Sequence, residues 1–320
     1  MLPYLQLLRL PTVFTAMADI MLGFVLTHRF IYGPIANPEA DPLLQQIGWH
    51  DSIQFVELVV ASSCLYLAGM VFNDVFDRAQ DAAERPSRPI PSGRVSVRSA
   101  TILGSCLMLT GVVSAALVCM VSLQVALALV VTILAYDSVL KRTPLGPLAM
   151  GSCRFLNVLL GASMQPDWIP SLLSLPQVAA AAGLGIYIVG VTLFARTEAR
   201  VSNRMQLAVA QLVMNLGFAT LAWLVMRQPI VSPVAVPLAM LMVVAFTINR
   251  RSVEALRDPS PATVQGSIKV MLLSLVILDS TLVYWFLNIP EGAQYGAYHA
   301  LVTSALVVPA LLLGRFIPMT

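Results

Sequence analysis

Eight of the chain's 35 charged residues (19 basic, 16 acidic) crowd into residues 73–94, NDVFDRAQDAAERPSRPIPSGR. On a helix Asn73, Asp77 and Asp81 stand at i, i+4 and i+8, which predicts one stripe with Asp74 beside it. Clustered carboxylates repel at a membrane surface unless a cation or donor neutralises them. Oxygen ligands of this kind suit Mg²⁺, which takes one or two carboxylates and completes its shell with water and substrate phosphates. Arg85 and Arg88 follow, then RPIPSGR, whose prolines and glycine fix an irregular backbone. Arginine offers a forked grip on phosphate oxygens. The segment thus points to a Mg²⁺–diphosphate site. The plainer alternative is a charged loop whose residues only pair and solvate, and the regular spacing argues against it.

The elements that must position this segment are membrane helices. The chain is 58% hydrophobic with a mean hydropathy of +0.82, which excludes an ordinary soluble domain. Apolar runs fall at about 11–28, 52–72, 98–119, 121–137, 147–164, 176–195, 206–226, 232–248, 265–287 and 297–314, each long enough to span hydrocarbon as a helix. Backbone groups in lipid need internal partners, so the fold class expected is an all-α, polytopic transmembrane helical bundle. The first span carries Asp19 and is followed by no small-residue cleavage site, so it is expected to be a retained helix. Cys64, Cys106, Cys119 and Cys153 lie within spans without metal-type spacing and are read as packing residues.

Orientation follows from the basic residues. Ten spans place Arg9, the five arginines of 78–98, Lys141, Arg142, Arg196, Arg200, Arg204, Arg250, Arg251, Arg257 and Arg315 on one side. Arg29 and Arg227 fall on the other, so the first side, with both termini, is expected to be cytoplasmic. The outer loop after the first span is mildly acidic, and His28, His50 and His299 lie on that side without forming a ligand set. No basic run interleaved with aromatics suggests a nucleic-acid partner.

On these residues, NDVFDRAQD followed by RPSRPIPSGRVS resembles the first aspartate-rich motif, NDxxDxxxD, of the UbiA superfamily of intramembrane prenyltransferases. YDSVLKR at 136–142 resembles that family's tyrosine–lysine segment after its fourth helix, and LRLPTVFTAMADIMLGF at 8–24 its opening helix. The likeness runs over about residues 5–290 and nine helices, so the span at 297–314 is an addition within a single domain of residues 1–320. Residues 73–96 also resemble a UbiA-like subgroup of bacterial ebo-type clusters. That narrower likeness implies a bacterial plasma membrane and protein partners from a biosynthetic complex. The family resemblance implies an enzyme that binds a polyprenyl diphosphate with Mg²⁺, promotes loss of diphosphate and passes the allylic group to an aromatic or other acceptor. By position it implies Mg²⁺ ligands at Asn73, Asp74, Asp77 and Asp81, and diphosphate contacts at Arg85, Arg88, Lys141 and Arg142. Catalytic roles then fall to Asp77, Lys141 and Tyr136, with Tyr136 lining the chamber near the reacting carbon.

One departure from the family pattern is expected to matter. Its second aspartate-rich motif, DxxxD after helix 6, aligns with LFARTEARVSNR at 193–204, where Arg196 and Arg200 replace both aspartates and Glu198 is the one carboxylate left. Two consequences compete. Arg196 and Arg200 grip the diphosphate in place of one metal, or they pair with Asp77 and Asp81 and leave a non-catalytic isoprenoid-binding relative. Asp19 and Asp279 are intramembrane carboxylates that could position an acceptor or, in neutral form, join helices. Arg154 and Asn157 are expected near the cytoplasmic start of their helix, with Arg154 reaching phosphate or snorkelling. A transporter is the rival from another class, although its sites usually lie at the midplane rather than at a charged mouth. The DGxxAR core of CDP-alcohol phosphotransferases is absent.

Overall fold

A computed structural model describes residues 2–27, 29–30, 44–45, 49–164, 176–227, 234–288 and 293–317. His28 and most of the acidic outer loop expected after the first span lie outside the described residues. The chain folds as an all-α membrane bundle. Its elements are α1 (Leu2–Leu8), a 3-10 turn (Leu10–Thr12), α2 (Val13–Thr27), α3 (Trp49–Phe76), α4 (Arg78–Glu84), α5 (Val97–Val118) and α6 (Met120–Ser138). A second 3-10 turn (Leu140–Arg142) then leads into α7 (Gly146–Gly161), α8 (Pro176–Ala195), α9 (Arg204–Arg227), α10 (Ala235–Arg257), α11 (Pro261–Leu287), α12 (Ala293–Ala305) and α13 (Val307–Leu313). Outside the helices, Arg29–Phe30 and Leu44–Gln45 form a two-residue parallel pairing.

Among the described residues, nine segments are long and apolar enough to cross a membrane, the last being Gly296–Leu313. The span expected at 147–164 is α7, which has only 16 residues and packs against α2, α6 and α8. The C-terminal span is broken rather than straight. Pro309 has no N–H to offer the carbonyl of Ala305, and α12 ends at that residue.

Helices α2 and α11 form the interior, with most of their side chains buried. Around them α5, α6, α9 and α10 turn apolar side chains outward, among them Leu109, Leu117, Val131, Leu212 and Phe246, as contact with lipid requires. Close helix approach depends on small residues, which let backbones meet where larger side chains would not fit. The tightest case joins α2 to α7. A Cβ on Gly161 would lie 2.6 Å from the carbonyl oxygen of Ile20, and one on Gly23 would strike the carbonyl of Val158. This contact carries Asp19 of α2 against Arg154 of α7. Substituting Gly161→Ala should therefore lower the melting temperature of the purified protein, at a cost of about 1–3 kcal/mol for overpacking. Gly266→Ala, where an added Cβ meets nothing within 4 Å, should be neutral or slightly stabilising, because alanine favours helix by about 0.5–1 kcal/mol.

Candidate active site

The charged segment begins as the end of α3 and keeps helical hydrogen bonds through the junction. Asp77 N–H donates to the Asn73 carbonyl (3.0 Å) and Asp81 N–H to the Asp77 carbonyl (2.8 Å). Pro86, Pro89 and Pro91 then prevent the helix from continuing. The chain turns back at Gly93, whose φ of 74° suits glycine, and the Val95 N–H closes the loop on the Pro89 carbonyl (3.0 Å). Ser96 restarts the helical backbone by capping α5 through the Ser99 N–H. Arg94 pins the loop to Gln6 of α1 (3.1 Å).

The four acidic-motif residues do not form one stripe. Asn73 and Asp77 line a cavity of about 460 Å³ inside the bundle, whereas Asp74 and Asp81 do not. Asp74 accepts from Arg9 (3.0 Å) and Arg88 (3.3 Å), and Asp81 accepts from Arg88 (2.7 Å). Both of these carboxylates are buried. The reason is helical drift: a helix turns about 100° per residue, so Asp81 lies about 80° from Asn73 but only about 20° from Asp74. Arg88, expected at the diphosphate, is committed to this pair of carboxylates and is likewise not on the cavity wall.

On the cavity side, Asp77 is met by Lys141 Nζ at 2.8 Å and by Arg142 at 4.0 Å. The lysine contact is an ion pair by distance, with an angle too poor for a hydrogen bond. Lys141 also stands 4.0 Å from Asp137, its i−4 neighbour, and Asn73 donates to Asp137 (3.1 Å). Tyr136, Asp137, Lys141 and Arg142 all line the cavity, together with an apolar wall that includes Met70, Leu129, Ile133, Ile188 and Leu272. The volume falls within the usual range for small-molecule sites, about 300–1,000 Å³.

The segment after α8 also reaches the mouth. Arg196 lines the cavity and donates to the Thr143 carbonyl (3.1 Å). Glu198 lines it too, but is held by Arg85 (3.3 Å). Arg200 is exposed and does not line the cavity. Among the described residues neither Arg196 nor Arg200 pairs with Asp77 or Asp81, so the neutralised arrangement weighed from sequence does not form. Lys141, Arg142 and Arg88 occupy those carboxylates instead.

Deeper in the bundle Arg154 is buried and turned inward. Its guanidinium reaches Asp19 (3.0 Å), the Thr15 carbonyl (3.1 Å) and the Thr15 hydroxyl (3.3 Å). It neither snorkels nor reaches the mouth, because Arg154 and Asn157 fall in the second half of α7. Two wall residues were missed as site candidates. Asp137 carried a usable signal, since it stands four residues before Lys141 and next to Tyr136. Arg9 carried none. Its backbone adopts a left-handed conformation (φ 45°, ψ 47°), and its partner Asp74 is 65 residues away.

The donor set allows one test of whether Mg²⁺ fits. Among the described residues no group of three or more His, Cys, Asp or Glu side chains converges as a metal cage. Asp77 and Asp137 with Asn73 do face the same cavity, which suits an ion that takes one or two carboxylates and draws its remaining ligands from substrate phosphates and water. The buried charges outside the cavity have a structural role that can be measured. Arg88→Ala leaves Asp74 and Asp81 short of a cation and should cost on the order of 3 kcal/mol in thermal unfolding. Arg85→Ala, which breaks a half-exposed pair, should cost about 0–1 kcal/mol.

Residues 42–260 match the UbiA prenyltransferase family. The digeranylgeranylglyceryl phosphate synthase of Metallosphaera sedula is 31% identical over 178 residues, covering 53% of this chain and 56% of that protein. The synthase of Saccharolobus solfataricus is 28% identical over 169 residues, covering 52% and 54%. The chain thus spans about half the length of these relatives. The fold is similar to a UbiA homologue from Aeropyrum pernix K1, with a TM-score of 0.65 and 17% identity over 85% of this chain and 96% of that one. It is also similar to a UbiA homologue from Archaeoglobus fulgidus bound to DMAPP and Mg²⁺, with a TM-score of 0.59 and 13% identity over 97% and 98%. At those identities the likeness is one of fold, whereas the family match extends over more than half of the chain. The protein is an integral membrane member of the UbiA prenyltransferase family.

Proposed function

We propose that this protein transfers an isoprenyl group from a polyprenyl diphosphate to a lipophilic or aromatic acceptor. The single observation that carries the reading is the cavity itself: a largely apolar chamber inside the bundle whose lining brings Asn73, Asp77 and Asp137 together with Lys141, Arg142 and Arg196. A diphosphate bears several negative charges, and this is where positive groups can meet it while the isoprenoid tail lies against Leu129, Ile133 and Ile188. Asn73, Asp77 and Asp137 would hold one Mg²⁺, which when bound supplies positive charge to the departing diphosphate.

In this reading Lys141 and Arg142 leave their ion pairs with Asp77 for the phosphate oxygens. Arg196, whose partner among the described residues is the Thr143 carbonyl, turns toward the same group. Donors preset around developing negative charge favour breaking of the allylic C–O bond. Tyr136 lines the chamber below the mouth, and the apolar wall keeps water from capturing the allylic cation. Asp74, Asp81 and Arg88 act one layer out, as the frame that holds α3 and the proline-rich loop, and Arg85 and Arg200 contribute from the rim. The domain is taken as residues 1–320, with α12 and α13 an addition to the family core. The mouth is placed on the cytoplasmic face of a plasma membrane, where the basic residues gather. The relatives named above are archaeal, so a bacterial host and partners from a biosynthetic complex rest on the narrower sequence resemblance alone.

The test is incubation of the purified protein with labelled prenyl diphosphates of several chain lengths, with and without Mg²⁺, following binding and diphosphate release. Binding and Mg²⁺-dependent release are expected. Asp77→Ala and Arg196→Ala should each lower release by about 10²-fold, the usual cost of removing one stabilising group at a developing charge. Failure to bind any prenyl diphosphate would sink the proposal, and unchanged release in both variants would move the chemistry away from this mouth.

A further inference from the structure

A second cluster of charge lies below the mouth, sealed within the bundle. Asp19 of α2 and Asp279 of α11 are both fully buried where α11 packs against α2, and their carboxyl groups interact directly. Asp19 Oδ2 accepts from Asn157 (2.8 Å) and lies 3.0 Å from Arg154 Nε. Asp19 Oδ1 and both oxygens of Asp279 have no donor among the described residues. The cation that reaches this pair is Arg154. Two carboxylates against one guanidinium would leave a net negative charge in the membrane interior, and two facing carboxylate oxygens would repel at contact. One proton resolves both difficulties.

The surrounding donors decide where that proton resides. Asp19 has an amide donor and a guanidinium, which favour its ionised form. Asp279 has neither. We propose that Asp279 is a neutral carboxylic acid whose O–H donates to Asp19, and that it is thereby a positioning residue for the polar wall of the chamber.

The link from Asp279 to the chamber is short. Asp19 fixes Arg154 and Asn157; Arg154 donates to the hydroxyl and carbonyl of Thr15; Asn157 accepts from Ser62 (2.7 Å). Thr15, Ser62, Arg154 and Asn157 all line the cavity, whereas Asp19 and Asp279 stand behind it. With the proton on Asp279, this wall is hydrogen-bonding yet neutral overall, because the charge of Arg154 is matched by Asp19. The inference stands whether or not the mouth transfers isoprenyl groups, since it concerns only the protonation of the pair and the alignment it enforces.

Infrared difference spectroscopy on the purified protein at neutral pH tests it. Wild type minus Asp279→Asn should show the C=O band of a protonated carboxyl, shifted in D₂O. Asp279→Asn should also melt like wild type, because its amide N–H₂ can replace the O–H donor. Asp279→Leu, which has no donor, should lose the same band and melt earlier. Asp19→Asn should melt earliest, with Arg154 left uncompensated. The proposal is overturned if the difference spectrum shows no protonated-acid band, or if Asp279→Asn fails to fold. A band lost in Asp19→Asn but retained in Asp279→Asn would place the proton on the other partner. Stability that depends on Na⁺ and disappears in Asp279→Asn would put a cation, not a proton, between the two.

Discussion

Inside a hydrocarbon-embedded bundle an unpaired charge has no water to fall back on, and the architecture of this protein follows from that constraint. Asp74 is held between Arg9 and Arg88, Asp81 shares Arg88, and Asp19 takes Arg154. Two of these contacts tie elements distant along the chain, the turn before α2 to α3 and α7 to α2, while Arg88 fastens the proline-rich loop to the neighbouring α3 and α4. The charged groups thus act as clasps between helices that are otherwise joined by apolar packing and by neutral hydrogen bonds such as Tyr187 to the Met271 carbonyl and Asn215 to Asn249.

The same constraint separates two kinds of charge. The carboxylates of the frame, Asp19, Asp74 and Asp81, are matched closely and stand behind the cavity wall. At the mouth Lys141 sits 2.8 Å from Asp77, but two cations are matched loosely: Arg142 stands 4.0 Å from Asp77 and Arg196 has a carbonyl for its partner. Loosely matched cations can exchange a weak internal partner for an incoming anion at little cost, whereas Arg88 would have to abandon two buried carboxylates. In the proposed reading the anion is therefore met by Lys141, Arg142 and Arg196, which line the cavity, rather than by Arg88, which does not.

The basic residues at 196 and 200 also gain a physical meaning from the geometry. These side chains do not cancel the carboxylates of α3, because Lys141 and Arg142 reach Asp77 first from the adjoining α6–α7 turn. Arg196 is braced by the Thr143 carbonyl within that same turn, which joins the two basic segments into one side of the mouth. Glu198, the carboxylate retained after α8, is drawn off by Arg85.

The amino-acid sequence alone determined the membrane class, the apolar segments and the region where charge would gather. Apolar length and basic-residue asymmetry are one-dimensional signals that the bilayer reads directly. Asn73 and Asp77 were legible from their helical spacing, and Tyr136, Lys141, Arg142 and Arg196 only through the family resemblance. What only tertiary structure decided was the facing of each charge. A helical advance of about 100° per residue sends Asp81 toward Asp74 instead of Asn73, a difference that a spacing of eight conceals. Arg9 and Asp74, and Asp19 and Asn157, meet across 65 and 138 residues of chain, and no local pattern encodes such encounters. They arise where small residues such as Gly23 and Gly161 let two helices close to backbone contact, so that packing selects which buried charges become partners.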